Sequence, residues 1–202
     1  MKKITLAIIF PLTIISCGEV VSGNDTSTQE PMEKLAVGDV KTETGTESIQ
    51  KKDDSFKSED GNFTIKFMGT PKESSEMVPT EVGDIEMTTF MYEKSVTEAY
   101  MVAYNDYPSE MVKKSSVDAL LDGAKNGSSS SMKITHFDID ENIEIEGCPG
   151  RHFKGYGGSI YVEYKLFLKE NRLYQIALLR DGSYATKERS DEFFGSFHLL
   201  KK

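Results

Sequence analysis

The segments SIYVEYKLFL (159–168) and RLYQIALLR (172–180) constrain the fold more than any other part of the 202-residue chain. In the first, Ile160, Val162, Tyr164 and Leu166 alternate with Tyr161 and Phe167; in the second, Leu173, Ala177 and Leu179 alternate with Tyr174, Ile176 and Leu178. A half-solvated strand carries apolar side chains on one parity only, so a run that is apolar on both is buried on both faces. The residues between them, Lys169, Glu170 and Asn171, are too few for a crossover and make the pair an antiparallel hairpin. Such a hairpin belongs at the centre of a sheet covered on both sides, which argues against a β-barrel with one-sided strands.

The flanking text supplies the rest of a sheet. NFTIKFMG alternates Phe63, Ile65 and Phe67 with Thr64 and Lys66, the mark of a strand with one wet face, and Gly69, Thr70 and Pro71 end it. DIEMTTFMYE and EAYMVAYNDY predict a hairpin over about 85–92 and 98–105. The period then switches: Val117, Leu120, Leu121 and Ala124 form one helical stripe, Ser115 and Asp118 are spaced as a capping box, and Gly127 marks the stop, leaving SSSS (128–131) as a loop. KITHFDIDENIEIEG then reads as one long strand with an acidic face, bulged near Glu141, followed by a strand near 151–156. A helix over about 186–194 brings Phe193 and Phe194 as cover, and SFHLL ends the chain in an extended stretch. The expected fold class is α+β: an antiparallel β-sheet of about seven strands with helices on both faces.

The amino terminus, MKKITLAIIFPLTIISCGE, has two lysines, an apolar stretch from Ile4 to Ile15, and then Ser16 and Cys17. It is a secretory signal, too short to span a bilayer stably. Its end resembles a bacterial lipobox, with Ile14, Ile15 and Ser16 before the cysteine and Gly18 after it. The resemblance implies cleavage before Cys17, diacylglycerol on its sulfur and an acyl group on the new amino terminus. Two or three chains anchor a protein where one does not, since each buried methylene contributes about 0.8 kcal/mol. The domain plan is a signal peptide over 1–16, a lipidated disordered tether over 17–55 and a globular domain over 56–202. The tether lacks aromatic residues until Phe56 and cannot bury enough surface to offset its ordering entropy; as a random coil it averages about 30–35 Å end to end. The globular part is large enough to bury about 70% of its unfolded surface.

The chain resembles the PsbP-like family, an α/β/α sandwich named for an extrinsic photosystem subunit and shared by assorted bacterial envelope lipoproteins. The residues that carry this are GNFTIKFMGTP, YMVAYNDYP, GCPGRHF, NRLYQIAL and FFGSFHLL, in that order along the domain. The resemblance implies binding and assembly more than catalysis, and it supplies no uniform active site.

Chemistry has one sharp candidate. With Cys17 consumed by lipid, Cys148 has no intramolecular disulfide partner, and it stands near Arg151 and His152 in EGCPGRHFKG. A nucleophilic thiol needs a lowered pKa, a base within hydrogen-bond reach and an oxyanion hole. A Gly-Cys-Pro-Gly stretch with no helix start offers none of these, so a turn between strands is the expectation, with thiol-dependent or redox chemistry at Cys148 as the alternative. His136, His152 and His198 are too dispersed for a zinc pattern. Asp138, Asp140 and Asn142 begin like a calcium loop, but Ile143 takes the glycine place and Pro149 that of the bidentate glutamate, leaving weak cation binding as a further alternative. GYGG (155–158) reads as a tight hairpin turn, and the seven methionines between Met68 and Met132 as core rather than a copper site. No catalytic residue, cofactor-binding residue or metal ligand is assigned, and no cofactor is expected; Cys17 is the single modified position.

The net charge of −9 argues against nucleic acid. The expected partners are the membrane, through the lipid on Cys17, and an envelope protein or small ligand. The surface expected to meet it includes Tyr104, Tyr107 and Pro108 after the second strand of the 85–105 hairpin. The sequence thus points to a non-enzymatic, membrane-tethered binding or assembly protein of the bacterial cell envelope, anchored to the inner or outer membrane, with its domain periplasmic or surface-exposed.

Overall fold

The computed structural model describes residues 54–80 and 83–201. The expected signal peptide, Cys17 and the expected tether up to residue 53 lie outside the described residues. No helix among the described residues is long and apolar enough to cross a membrane.

Seven strands form one antiparallel sheet in the order β3-β4-β5-β9-β8-β7-β6. They are β3 (Lys72–Thr80), β4 (Gly83–Ser95), β5 (Glu98–Asp106), β6 (His136–Ile145), β7 (Cys148–Gly157), β8 (Ile160–Lys169) and β9 (Arg172–Asp181). The two-sided apolar hairpin is β8–β9, closed by Glu170 and Asn171 with Lys169 opposite Arg172, and Glu170 adopts a positive φ of 57° in the turn. Its two parities feed two separate cores. Val162, Tyr164, Leu166, Leu173 and Ala177 face one side, and Phe167, Tyr174, Ile176 and Leu178 face the other.

Helices α1 (Ser109–Lys114) and α2 (Val117–Ser131) cover the first side, burying Met111, Leu120, Leu121 and Ala124. Ser116 caps α2, accepting a hydrogen bond from the Ala119 amide at 3.2 Å. The helix does not stop at Gly127: it runs through the serines expected to form a loop. Gly127, Ser128 and Ser129 are buried, so small side chains let the last turns lie close to the sheet. There the Ser128 hydroxyl donates to the Ala124 carbonyl at 2.8 Å and to Gln175 Oε1 at 3.2 Å. Gln175, fully buried on β9, also accepts from the Tyr164 hydroxyl. Serine is a poor helix former, but here its hydroxyl satisfies a buried amide that would otherwise cost about 1–3 kcal/mol.

The second side overturns the expected helices-on-both-faces α/β/α sandwich. It is roofed by a second, three-stranded antiparallel sheet, ordered β1-β2-β10, made of β1 (Phe56–Ser58), β2 (Phe63–Ile65) and β10 (His198–Leu199). The nine-residue α3 (Lys187–Gly195) adds Phe193 and Phe194 beside it. With ten strands against three helices among the described residues, the domain is mostly β. The physical reason is the aromatic content of the small sheet. Phe63 lies 5.7 Å from Phe90, 5.5 Å from Phe197 and 6.4 Å from Tyr174, so a sheet face supplies the apolar cover that a helix was expected to provide. Each fully buried phenylalanine of this kind contributes about 1.5–3 kcal/mol.

NFTIKFMG therefore joins the small sheet, and its place in the large one is taken by β3, which pairs along its whole length with β4. Residues 72–77 of β3 are exposed on both faces. A strand without a buried parity has no alternating signal to read. The bulge of β6 falls between Phe137 and Ile139 rather than at Glu141.

Candidate functional site

β5 leaves the sheet at Asp106, whereas its neighbour β4 starts four residues beyond the last β4–β5 pair, Met87 with Asn105. The gap left at that end of the sheet is a recess of about 520 Å³. Because it opens where one strand stops, both faces contribute to it: Ile85, Asn105 and Tyr107 from the α2 side, Thr88, Tyr104 and Arg172 from the other. Tyr104, Tyr107 and Pro108, expected from the sequence as a binding surface, all line it.

The recess is held open by a fixed frame. The Tyr107 amide donates to the Asn171 carbonyl at 2.8 Å, and the Asn171 side-chain amide donates to the Tyr107 carbonyl at 3.0 Å, tying the exit of β5 to the β8–β9 turn. Tyr107 itself is buried, which pushes its phenol up to about 12. Arg172 grips both carboxylate oxygens of Asp106, Nε to Oδ1 at 2.6 Å and Nη2 to Oδ2 at 2.7 Å, and Nη1 donates to the Asp60 carbonyl. The hydrogen bonds to Asp106 raise the guanidinium pKa further still. The guanidinium also lies 4.7 Å from the centroid of the Tyr104 ring. That ring in turn stacks on Phe90 of the second core. A planar fork fixed by a carboxylate and an aromatic face keeps one geometry, as a lysine would not.

Two features of the recess are unusual. Among the described residues its lining carries four carboxylates, Asp60, Asp84, Glu86 and Asp106, against the single cation Arg172. In addition, Asn105 is 2% exposed, and neither its Nδ2 nor its Oδ1 has a hydrogen-bond partner among the described residues. Neither feature carries a local motif: the 85–105 hairpin places Asp84 near Asn105, but Asp60 and Arg172 reach the recess from distant parts of the chain.

The structure separates the members of the cysteine candidate. Glu146 and Gly147, both at positive φ, form the two-residue β6–β7 turn, so Cys148, Pro149 and Gly150 belong to β7 and not to a turn. Cys148 is half-buried against the second core, and its thiol pKa is raised, chiefly by burial, away from the reactive thiolate. His152 lies four residues further along the same strand, about 13 Å away at strand rise. It sits between Glu141 (3.0 Å) and Glu163 (3.1 Å). Arg151 points to the opposite side, where it donates to Asp140 at 2.6 Å and to Asn142 at 2.7 Å. Asp140 also meets Lys125, and these cations outweigh its burial and lower its pKa. The bulge turns Asp138 away from Asp140, to accept from the Tyr184 hydroxyl at 2.7 Å. The calcium-like triplet therefore does not converge, and no group of three or more metal-ligating acids, histidines or cysteines occurs among the described residues.

His136 stacks on Tyr156, and His198 pairs with Glu146 at 3.0 Å. In GYGG the turn is Gly158–Ser159, since Gly157 still pairs with Ile160. Gly157 is required by the α2–β6 connection: a Cβ there would stand 1.8 Å from the Lys133 carbonyl oxygen. Met87, Met101 and Met111 fill the first core, while Met68 and Met77 are exposed.

No family model matches the chain, and no curated protein matches it.

Proposed function

We propose that the chain is a lipid-anchored protein of the bacterial cell envelope whose globular domain is a non-enzymatic binding module, with the recess at the end of β5 as its binding site. The lipobox residues through Cys17 support the anchor. The unreactive setting of Cys148 and its distance from His152 support binding over thiol chemistry. The observation that carries the reading is the recess itself. Its frame is fixed by Arg172, Asp106 and Asn171, its volume lies in the range of small-molecule sites, and a buried amide beside it is left without a partner. Buried polar groups without a partner are few in native folds.

Two experiments test the two halves. Cys17→Ser should release the protein from the membrane fraction and abolish lipid labelling; retention on the membrane would refute the anchor. A benzophenone amino acid placed at Glu86, on the recess rim, should give a cross-linked adduct in intact cells that the same group at Glu144, on the far edge strand, does not. An identical adduct pattern at both positions, or none at Glu86, would refute the recess as the binding site.

A further inference from the structure

We propose that the free edge of β3 pairs with β3 of a second copy of this chain, antiparallel about a two-fold axis at Ser74, so that two seven-stranded sheets join into one. This goes beyond the recess reading and does not rest on it.

The edge is open along its length. β3 ends the large sheet and is paired on one side only, with β4. Pro79, opposite Asp84 in that ladder, has no N–H to give, which places it where the backbone turns away from β4. Backbone direction alternates along a strand, so the N–H and C=O groups of Met77, Ser75 and Glu73 also point outward. Among the described residues no backbone hydrogen bond joins 73–77 to anything beyond β4. Such a row is a template for another strand. The opposite edge, β6, is blunted: it is bulged between Phe137 and Ile139 and carries Asp138, Asp140, Glu141 and Glu144. β3 runs unbulged for nine residues and carries both signs of charge.

That charge pattern selects the register and the occupant. Two copies related by a two-fold axis keep their side chains on matching faces only when one residue lies opposite its own copy. Centring on Glu73 or on Glu76 sets two glutamates against each other, and centring on Ser75 sets Lys72 against Val78 and Glu73 against Met77. Centring on Ser74 sets Lys72 against Glu76 of the second copy, twice over. Both side chains are exposed, and neither forms an ion pair among the described residues. Both face the α2 side of the sheet, since Lys72 lies opposite Met91 and Glu76 opposite Met87. They occupy the positions of the new ladder that are not hydrogen-bonded, where opposed side chains come closest. Met77, 59% exposed, then meets Pro71 of the second copy. The strand is complementary to itself in this one register.

The test uses the full-length protein in its own membranes, with Cys148, the free thiol among the described residues, replaced by alanine. In the Ser74 register the two Ser74 Cα atoms stand about 4.5 Å apart, the two Ser75 Cα atoms about 8 Å and the two Glu76 Cα atoms about 14 Å. A disulfide spans only the first of these. Ser74→Cys should therefore give a disulfide-linked dimer under mild oxidation, in about fivefold or greater excess over Ser75→Cys and Glu76→Cys. A second readout is sedimentation of the detergent-solubilised protein: Lys72→Glu should weaken dimerisation about tenfold, and Lys72→Glu/Glu76→Lys should restore it. The two readouts change different side chains, so a defect in one cysteine variant does not mask the other result. Five results would overturn the proposal: no dimer at Ser74→Cys; equal dimer at all three cysteine positions; a Ser74→Cys adduct to a different protein; a parent chain that stays monomeric; or a charge-swapped double variant that dimerises no better than Lys72→Glu.

Discussion

Replacing Glu163 by glutamine should make the stability of this domain depend differently on pH, and by a calculable amount. Glu163 sits on β8 facing the second core, with its side chain 8% exposed. It accepts from Lys154 Nζ at 2.9 Å, from His152 Nε2 at 3.1 Å and from the Ser190 hydroxyl of α3. Burial alone would raise its pKa, but the hydrogen bonds from His152, Ser190 and Lys154 and the Lys154 charge outweigh burial and hold it at about 2 against an ordinary 4.5. A carboxyl with a depressed folded-state pKa contributes stability that is complete above its unfolded value and is lost as pH falls through the folded one. The gap from 4.5 to about 2 corresponds to about 3 kcal/mol at 1.36 kcal/mol per pH unit.

Glu163→Gln keeps the shape and removes the charge, leaving Lys154 and His152 without the carboxylate between them. At pH 7 the variant should be less stable by about 3 kcal/mol, equivalent to a Tm lower by about 6–12 °C for a domain of this size. The deficit should shrink as pH falls from about 4.5 and nearly vanish near pH 2. Because Glu163 holds Ser190, hydrogen exchange across 187–195 should accelerate at pH 7 as well. Urea titrations of both proteins at pH 7, 4.5 and 2.5 decide it. A difference that stays constant across that range, or a variant as stable as the parent at pH 7, would refute the assignment of a charged, network-held Glu163.

Three further outcomes are expected. Glu98, whose carboxylate is 7% exposed and is held by Arg189 at 2.8 Å and Arg180 at 3.2 Å, is the other clamp on α3; Glu98→Gln should cost about 3–5 kcal/mol in denaturant titrations and also speed exchange in α3. Gly157→Ala should lower stability by about 1–3 kcal/mol, because its Cβ meets the Lys133 carbonyl, whereas Gly123→Ala, with open space on α2, should raise it by about 0.8–1 kcal/mol; a loss at Gly123 would show that the helix is more crowded than described. Cys148 should alkylate with iodoacetamide at pH 8 several-fold more slowly than free cysteine, consistent with its raised pKa, and a rate equal to or above the free thiol would reopen thiol chemistry at this position.

Much of the architecture is readable from local pattern, because a buried parity repeats every two residues and a buried helical face every three or four. The β8–β9 hairpin, the stripe of α2 and the extended tail at 198–199 are each visible in their own ten or fifteen residues. What failed did so where the partner is distant. NFTIKFMG looks the same in either sheet, since its alternation names a buried face without naming what lies against it. Residues 72–77 of β3 are exposed on both sides and carry no pattern; only the ladder with β4 reveals the strand. The serines of α2 look like a loop until Gln175, 47 residues away, supplies a reason for them to be helical.

The same division holds for the site and for the protein as a whole. The sequence by itself determined a sheet whose central hairpin is buried twice over, because this follows from residue identity and short-range period, and it raised the expectation of a lipid anchor at Cys17, which lies outside the described residues. It also pointed to Tyr104, Tyr107 and Pro108. Only the tertiary structure decided that a second sheet roofs the far face, that Cys148 and His152 are kept apart on one strand, and that Asp60, Asp84, Glu86 and Asn105 border one recess. Charge and burial at a point in space depend on which strand pairs with which, and beyond the hairpins β4–β5 and β8–β9 that pairing is a long-range choice that no local stretch of this chain encodes.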